Sequence, residues 1–191
     1  MKWNVERVVA AELLQGETVL WQGQPNTRKL FARADIYLVP FSVFWCGFAI
    51  FWTVTATSGA GLFGIFGIPF VLVGLYFTVG RFYAKVKNKK RTVYAVTNKR
   101  ALLLSLNGEG EKKTCVAGDI AAMQSESVSI GDDGCGSLYF GTISFYSRMY
   151  MNTGLEYLPG YHREDVLAFL DVDDAQRVYE IYKNAKYGLH G

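Results

Sequence analysis

IYLVPFSVFWCGFAIFWTV, Ile36 to Val54, and LFGIFGIPFVLVGLYFTVG, Leu62 to Gly80, decide the reading of this chain. From Ile36 to Gly80 there is no charged residue, and RFYAKVKNKKR, Arg81 to Arg91, follows at once. Each segment has about the 20 apolar residues that a helix needs to cross a bilayer. Between them TATSGAG, Thr55 to Gly61, is small and flexible, and reads as a tight reversal. A buried hairpin in a soluble core is the alternative, but helices of that kind show a polar face, and neither segment has one. Tyr37, Trp52 and Tyr76 lie near the segment ends, where amphipathic rings favour the headgroup zone. Pro40 is expected in the first turn of the first span and Pro69 is expected to kink the second. Gly64, Gly67 and Gly74, with Cys46, Gly47 and Ala49 opposite, allow the two spans to pack closely. Dimerisation through the same glycines, giving a homo-oligomer, is their other use.

Charge sets the expected orientation. Arg28, Lys29 and Arg33 precede the first span, and Arg81, Lys85, Lys87, Lys89, Lys90 and Arg91 follow the second. Thr55 to Gly61 has no Lys or Arg. Positive-inside bias then puts both termini in the cytoplasm and the short loop outside. MKWNVERVVAAELLQ mixes acids and bases without an apolar core, unlike a cleaved signal peptide. Three regions are expected: an N-terminal cytoplasmic segment over residues 1–35, a transmembrane hairpin over 36–80 (spans 36–54 and 62–80), and a cytoplasmic domain over 81–191.

The 191 residues leave enough chain outside the spans for one modest domain. A net charge of +3, more than covered by the basic run, points away from a nucleic-acid partner. Cys46, Cys115 and Cys135 have no metal-ligand spacing, and in a reducing compartment they read as small packing residues.

After the basic run the pattern turns to strands. Thr92 to Leu106 reads as two strands around Thr97-Asn98-Lys99-Arg100. Val93, Ala95 and Thr97 alternate with Tyr94 and Val96, which gives a sheet with two usable faces. Asn107-Gly108 opens a turn. Glu111 to Ile130 offers one or two strands, broken at Gly118-Asp119, and Gly131 to Gly136 is a loop. Ser137 to Ser147 reads as a strand pair or one bent strand with a bulge at Gly141. A further turn falls at Leu158-Pro159-Gly160. Ala175, Val178, Ile181, Tyr182 and Ala185 make one face of a terminal helix, with Asp171 or Asp173 as its cap and Gly188 as its end. Upstream, a short helix near Val5 to Leu14 precedes a strand in ETVLWQGQP, Glu17 to Pro25.

These pieces resemble a family. Glu17 to Pro25 before a membrane hairpin, Tyr94-Ala95-Val96-Thr97-Asn98-Lys99-Arg100, Gly141-Thr142-Ile143-Ser144-Phe145, and Phe169 to Asp174 followed by Val178-Tyr179 resemble bacterial membrane proteins with a pleckstrin-homology-like (PH-like) domain. The resemblance implies an α+β fold: a seven-stranded curved antiparallel sheet or open barrel capped by a C-terminal helix, beside two transmembrane helices. It carries no catalytic residues over to this chain and implies an inner-membrane location.

Chemistry is sparse. His190 lies at the end, and His162 sits in YHRED, Tyr161 to Asp165, where an exposed loop histidine is expected rather than a catalytic one. No HExxH, GxSxG or GxxxxGK[ST] occurs. GDDGCG lacks the spacing of a cation loop and reads as a hairpin turn. No catalytic, cofactor or metal residue is singled out. Arg81, Lys85, Lys87, Lys89, Lys90 and Arg91 are the candidate contacts for anionic lipid. Tyr139, Tyr146, Tyr150 and Tyr157 are either a peptide-binding stripe or ordinary sheet packing. The expected function is non-enzymatic: a scaffolding or interaction module held at the bilayer, with a protein partner added along an exposed strand edge. The rival is an accessory subunit of a transport complex or a self-assembling pore. Against the pore, neither span carries an ionisable group.

Overall fold

The computed structural model describes residues 4–32, 34–156 and 166–188. Arg33, Tyr157, the Leu158-Pro159-Gly160 turn, His162 with its neighbours in YHRED, and His190 fall outside the described residues. The chain divides into two compact units. One comprises Met1–Lys29, Lys87–Arg148 and Pro159–Gly191; the other comprises Leu30–Val86 and Met149–Leu158.

The second unit holds the hairpin. Helix α2 runs Asp35–Ala60. Its return is a 3-10 segment, Gly61–Phe66, then α3, Gly67–Leu75, a π-helical turn, Tyr76–Gly80, and the start of α4, Arg81–Lys90. Both limbs are long and apolar enough to cross a membrane. The expected loop at Thr55 to Gly61 is instead helical as far as Ala60, and the reversal is concentrated at Gly61, whose φ of +58 suits glycine. Thr53, Thr55, Thr57 and Ser58 each donate a side-chain hydrogen bond to the carbonyl four residues back. Their hydroxyls are thus satisfied within the helix, and the polar run does not break it.

Pro40 lies six residues into α2, past the first turn, and leaves the Ile36 carbonyl without its i+4 donor. Pro69 lies in the first turn of α3, where the missing N–H costs little; the irregularity expected there takes the form of the 3-10 segment before it. The glycines of the second limb do face the first. A Cβ on Gly67 would sit 2.0 Å from Thr53 Oγ1, and one on Gly74 would sit 3.0 Å from the Cys46 Cα. Gly64 faces Thr57 in the same way, while Gly47 faces open space.

Among its described residues the first unit contains seven antiparallel strands in two sheets. The larger has the order β1 (Val19–Gly23), β2 (Thr92–Thr97), β3 (Arg100–Leu106), β4 (Lys112–Asp119). The smaller has the order β5 (Glu126–Ile130), β6 (Gly136–Phe140), β7 (Leu167–Val172). They are separate and do not close into a barrel. The upstream strand joins the sheet, with Trp21 opposite Val96 and Gly23 opposite Tyr94. The strand expected through Ile143 is not formed. β6 stops at Gly141, φ +77, and helix α5, Phe145–Tyr150, follows. Ser144 starts it, its Oγ accepting the Ser147 N–H at 3.1 Å. Tyr139 therefore lies on a strand and Tyr150 on a helix, so the tyrosines do not form one stripe along a sheet.

Alternation along β2 explains its complete burial. Val93 and Ala95, with Leu102 and Leu104 of β3, pack under α1, Val5–Ala10, through Val9. Tyr94 and Val96 face the other way, into a core with Leu138, Phe140, Phe169 and the terminal helix α6, Ala175–Tyr187. Tyr94 stacks on Phe169 at 4.6 Å and joins the two sheets: its hydroxyl accepts the Leu170 N–H at 3.0 Å. Val178 and Tyr182 of α6 are fully buried, and an apolar side chain such as Val178 contributes about 1.5–3 kcal/mol when so covered. Gly188 ends α6 with φ +65, as expected. The cap differs: Asp174, at φ +51, starts α6 through its backbone carbonyl, while Asp171 and Asp173 are engaged elsewhere.

Candidate functional site

The basic run is split by its four-residue spacing. In the hairpin unit, Arg81 and Lys85 are almost completely buried, as is Asp35 in the first turn of α2. Arg81 Nη1 donates to Asp35 Oδ1 and, at 3.2 Å, to the Thr153 carbonyl. Its Nε donates to the Phe77 carbonyl at 2.7 Å, and the guanidinium lies 4.2 Å from the centre of the Phe82 ring. Lys85 Nζ donates to the Leu30 carbonyl and lies 4.0 Å from Asp35 Oδ2. That second carboxylate oxygen also accepts the Ala32 N–H. Two cations thus share one carboxylate at the point where the uncharged segments begin and end. Removing Asp35 would take from both buried cations the carboxylate that faces them, the costlier change of the three.

Immediately before Arg81 comes the π-helical turn, and π turns inside helices often mark functional positions. The Tyr76 hydroxyl donates to the Gly154 carbonyl at 3.2 Å. Gly154 has φ +82, and a Cβ there would lie 2.0 Å from the Arg81 carbonyl oxygen. Only glycine fits both the backbone conformation and the approach. Met151, Thr153 and Leu155 are buried in the same segment. Residues 153–154 are thus bound to the base of the hairpin.

In the other unit, Lys89 is also turned inward. Its ammonium donates to the carbonyls of Asn26 (2.9 Å) and Lys29, and pairs with Asp171 Oδ2 at 2.6 Å. Asp171 is held at φ +50, its carbonyl accepting the Asn26 N–H and its own N–H donating to Ser137 Oγ. Lys87 and Lys90 are exposed and Arg91 is half-buried. Of the six candidate lipid contacts, two are therefore exposed, one is half-buried and three are committed inside.

The Thr97-Asn98-Lys99-Arg100 turn forms a separate clasp. Thr97 Oγ1 donates to Glu17 Oε1 at 2.6 Å and accepts the Arg100 N–H at 2.8 Å. The Arg100 guanidinium holds both oxygens of Glu17, at 3.0 and 2.7 Å. This contact, chiefly the Arg100 hydrogen bond, lowers the Glu17 carboxyl to about 2. The clasp ties the start of β1 to the β2–β3 turn.

GDDGCG is a hairpin turn between β5 and β6, closed by the Gly131 N–H donating to the Cys135 carbonyl at 3.0 Å; Lys29 pairs with Asp133 beside it. Burial raises the Cys115 and Cys135 thiols. Among the described residues no three His, Cys, Asp or Glu side chains are placed to hold a metal ion. The inward basic residues were legible only as spacing: Arg81, Lys85 and Lys89 recur every four positions, one face of a helix, and Asp35 borders the first span as Arg81 borders the second. No family model matches this chain, and no curated protein and no solved structure is found to resemble it.

Proposed function

We propose that the chain is a two-span inner-membrane protein with both termini in the cytoplasm. Its β-sheet unit, read as PH-like, serves as a non-enzymatic interaction module at the membrane surface. The observation that carries the membrane part is exposure. Only 11% of the most apolar window of the first limb, and 17% of the second, is buried within the protein. A core helix of a soluble protein would be covered by its own chain; here Phe44, Phe51, Leu62 and Phe66 each expose more than two-thirds of their surface. Hydrocarbon is the solvent that makes such a surface stable. The order of elements, a strand before the hairpin and six strands and a terminal helix after it, supports the PH-like reading. Lys87, Lys90 and Arg91 are the side chains free to meet anionic headgroups, each contributing about 1 kcal/mol near the surface. A protein partner would add along the strand edges β4 or β5, which end their sheets.

The test is topology in intact cells. With Cys46, Cys115 and Cys135 replaced, a Ser58→Cys probe near the end of α2 should react with an impermeant thiol reagent. Fluorescent fusions at either terminus should report cytoplasm. Protection of position 58 together with labelling of a terminus would reverse the orientation, and a chain recovered in the soluble fraction would end the membrane reading.

A further inference from the structure

We propose that the β6–β7 connection makes a second contact with the bilayer, lying in the headgroup zone through Met149 and Tyr150. The inference rests on the two-span reading above and adds a lipid-facing element outside the spans. The hairpin supplies the depth scale. Arg81 closes the uncharged segment, and Tyr76 lies about one helical turn further in. Gly154 is fixed to both: its carbonyl accepts from Tyr76, and its α-carbon is pressed against the Arg81 carbonyl. Thr153 is fixed to Arg81 as well. Thr153 and Gly154 of the connection are therefore level with the last turn of the span.

The chain turns sharply just before them. The Thr153 N–H and hydroxyl both donate to the Tyr150 carbonyl, and Asn152 takes φ +62 between them. Tyr150 and Met149 are thereby kept beside Thr153, at the same level. Met151 and Leu155 point inward and are buried, whereas Met149 is 41% exposed and Tyr150 is half-buried. A flexible thioether and an amphipathic phenol, presented at the edge of an apolar span, match the boundary between acyl chains and headgroups. An aqueous surface gives Met149 no such compensation.

The experiment uses the full chain, free of its three native cysteines and reconstituted in bilayers. A single cysteine is placed at Met149, at Phe44 in the first span, or at Lys113 on β4, and each is labelled with the same fluorophore. Quenching is read with nitroxide lipids carrying the spin label either near the headgroup or deep in the acyl chain. The expected result is deep quenching at 44, little at 113, and shallow quenching at 149 several-fold above that at 113. Quenching at 149 no greater than at 113, with 44 still quenched, would overturn this inference and leave the spans intact. Absence of quenching at 44 would overturn the two-span reading and this inference with it.

Discussion

Lys89 and Asp171 form an ion pair of 2.6 Å, with both side chains about 6–7% exposed. The lysine lies at the end of α4, the aspartate at the end of β7, at a backbone angle non-glycine residues seldom adopt. Lysines that look alike in the run Arg81 to Arg91 therefore have opposite roles. Lys89→Gln should remove about 3–5 kcal/mol from the unfolding free energy, because the buried Asp171 carboxylate loses the ammonium that faces it. Lys87→Gln should change it by less than about 0.5 kcal/mol. Chemical denaturation of the purified protein reads both, and equal effects would show that the pair does not carry stability.

The outward residues give a complementary expectation. Replacing Lys87, Lys90 and Arg91 together by Gln should leave the unfolding midpoint in place. It should reduce retention of anionic over zwitterionic lipid, measured by native mass spectrometry of the full chain. Added salt should narrow the difference by screening. A full chain is required, because β1 and α1, which precede the hairpin, complete the larger sheet and its cover. Unchanged lipid preference in the triple variant would remove these side chains from the lipid-contact reading.

For α6, Val178→Asp should be severely destabilising, since the carboxylate would enter a core made by Phe140, Phe169 and Tyr182; losses at such positions run to several kcal/mol. Glu180→Gln changes an exposed residue that accepts a hydrogen bond from Gln176 one turn away, and should be nearly silent. Limited proteolysis of the two variants separates them, and equal resistance would mean that α6 does not seal the core.

How much of this was legible follows from where the information lies. The two long apolar helices could be read because absence of charge over that length has few other physical meanings. The β2–β3 hairpin and the apolar face of α6 could be read because their periodicities are local. The extent of α2 could not, because its last turns look like a flexible loop. What keeps them helical is four hydroxyls bonding back to carbonyls, an outcome that a polar composition does not announce. The start of α5 was signalled by Ser144 but hidden by an apparent strand pattern around it. The pairs Lys89–Asp171 and Arg81–Asp35 join residues far apart in sequence, and no local pattern selects the partner.

Close packing within the hairpin can be tested by a compensating pair. Gly67→Ala places a methyl 2.0 Å from Thr53 Oγ1 and 2.8 Å from Thr53 Cβ. Overpacking of this kind costs about 1–3 kcal/mol. The same change in a Thr53→Gly background should cost much less, because both clashing atoms are gone. Thermal unfolding in detergent of the two singles and the double gives the coupling. Additive effects would mean that the two limbs do not meet at this level.

The Glu17 clasp predicts a pH dependence of definite sign. Arg100 and Thr97 stabilise the ionised carboxyl and lower it to about 2, well below the ordinary range of a glutamate. The folded state therefore binds the proton less readily than the unfolded chain. The contribution is complete above the unfolded value and is lost as pH falls through it toward the folded one. Its size, allowing for partial solvation of Arg100, is roughly 2–3 kcal/mol, lost between about pH 5 and pH 2. Other carboxylates add slopes of their own, so the informative quantity is a difference. Glu17→Gln should be less stable than the parent near neutral pH, and the gap between them should shrink steadily on acidification. Urea midpoints from near-neutral to acidic pH measure it. A gap that stays constant with pH would show that ionised Glu17 does not hold the start of β1 to the β2–β3 turn.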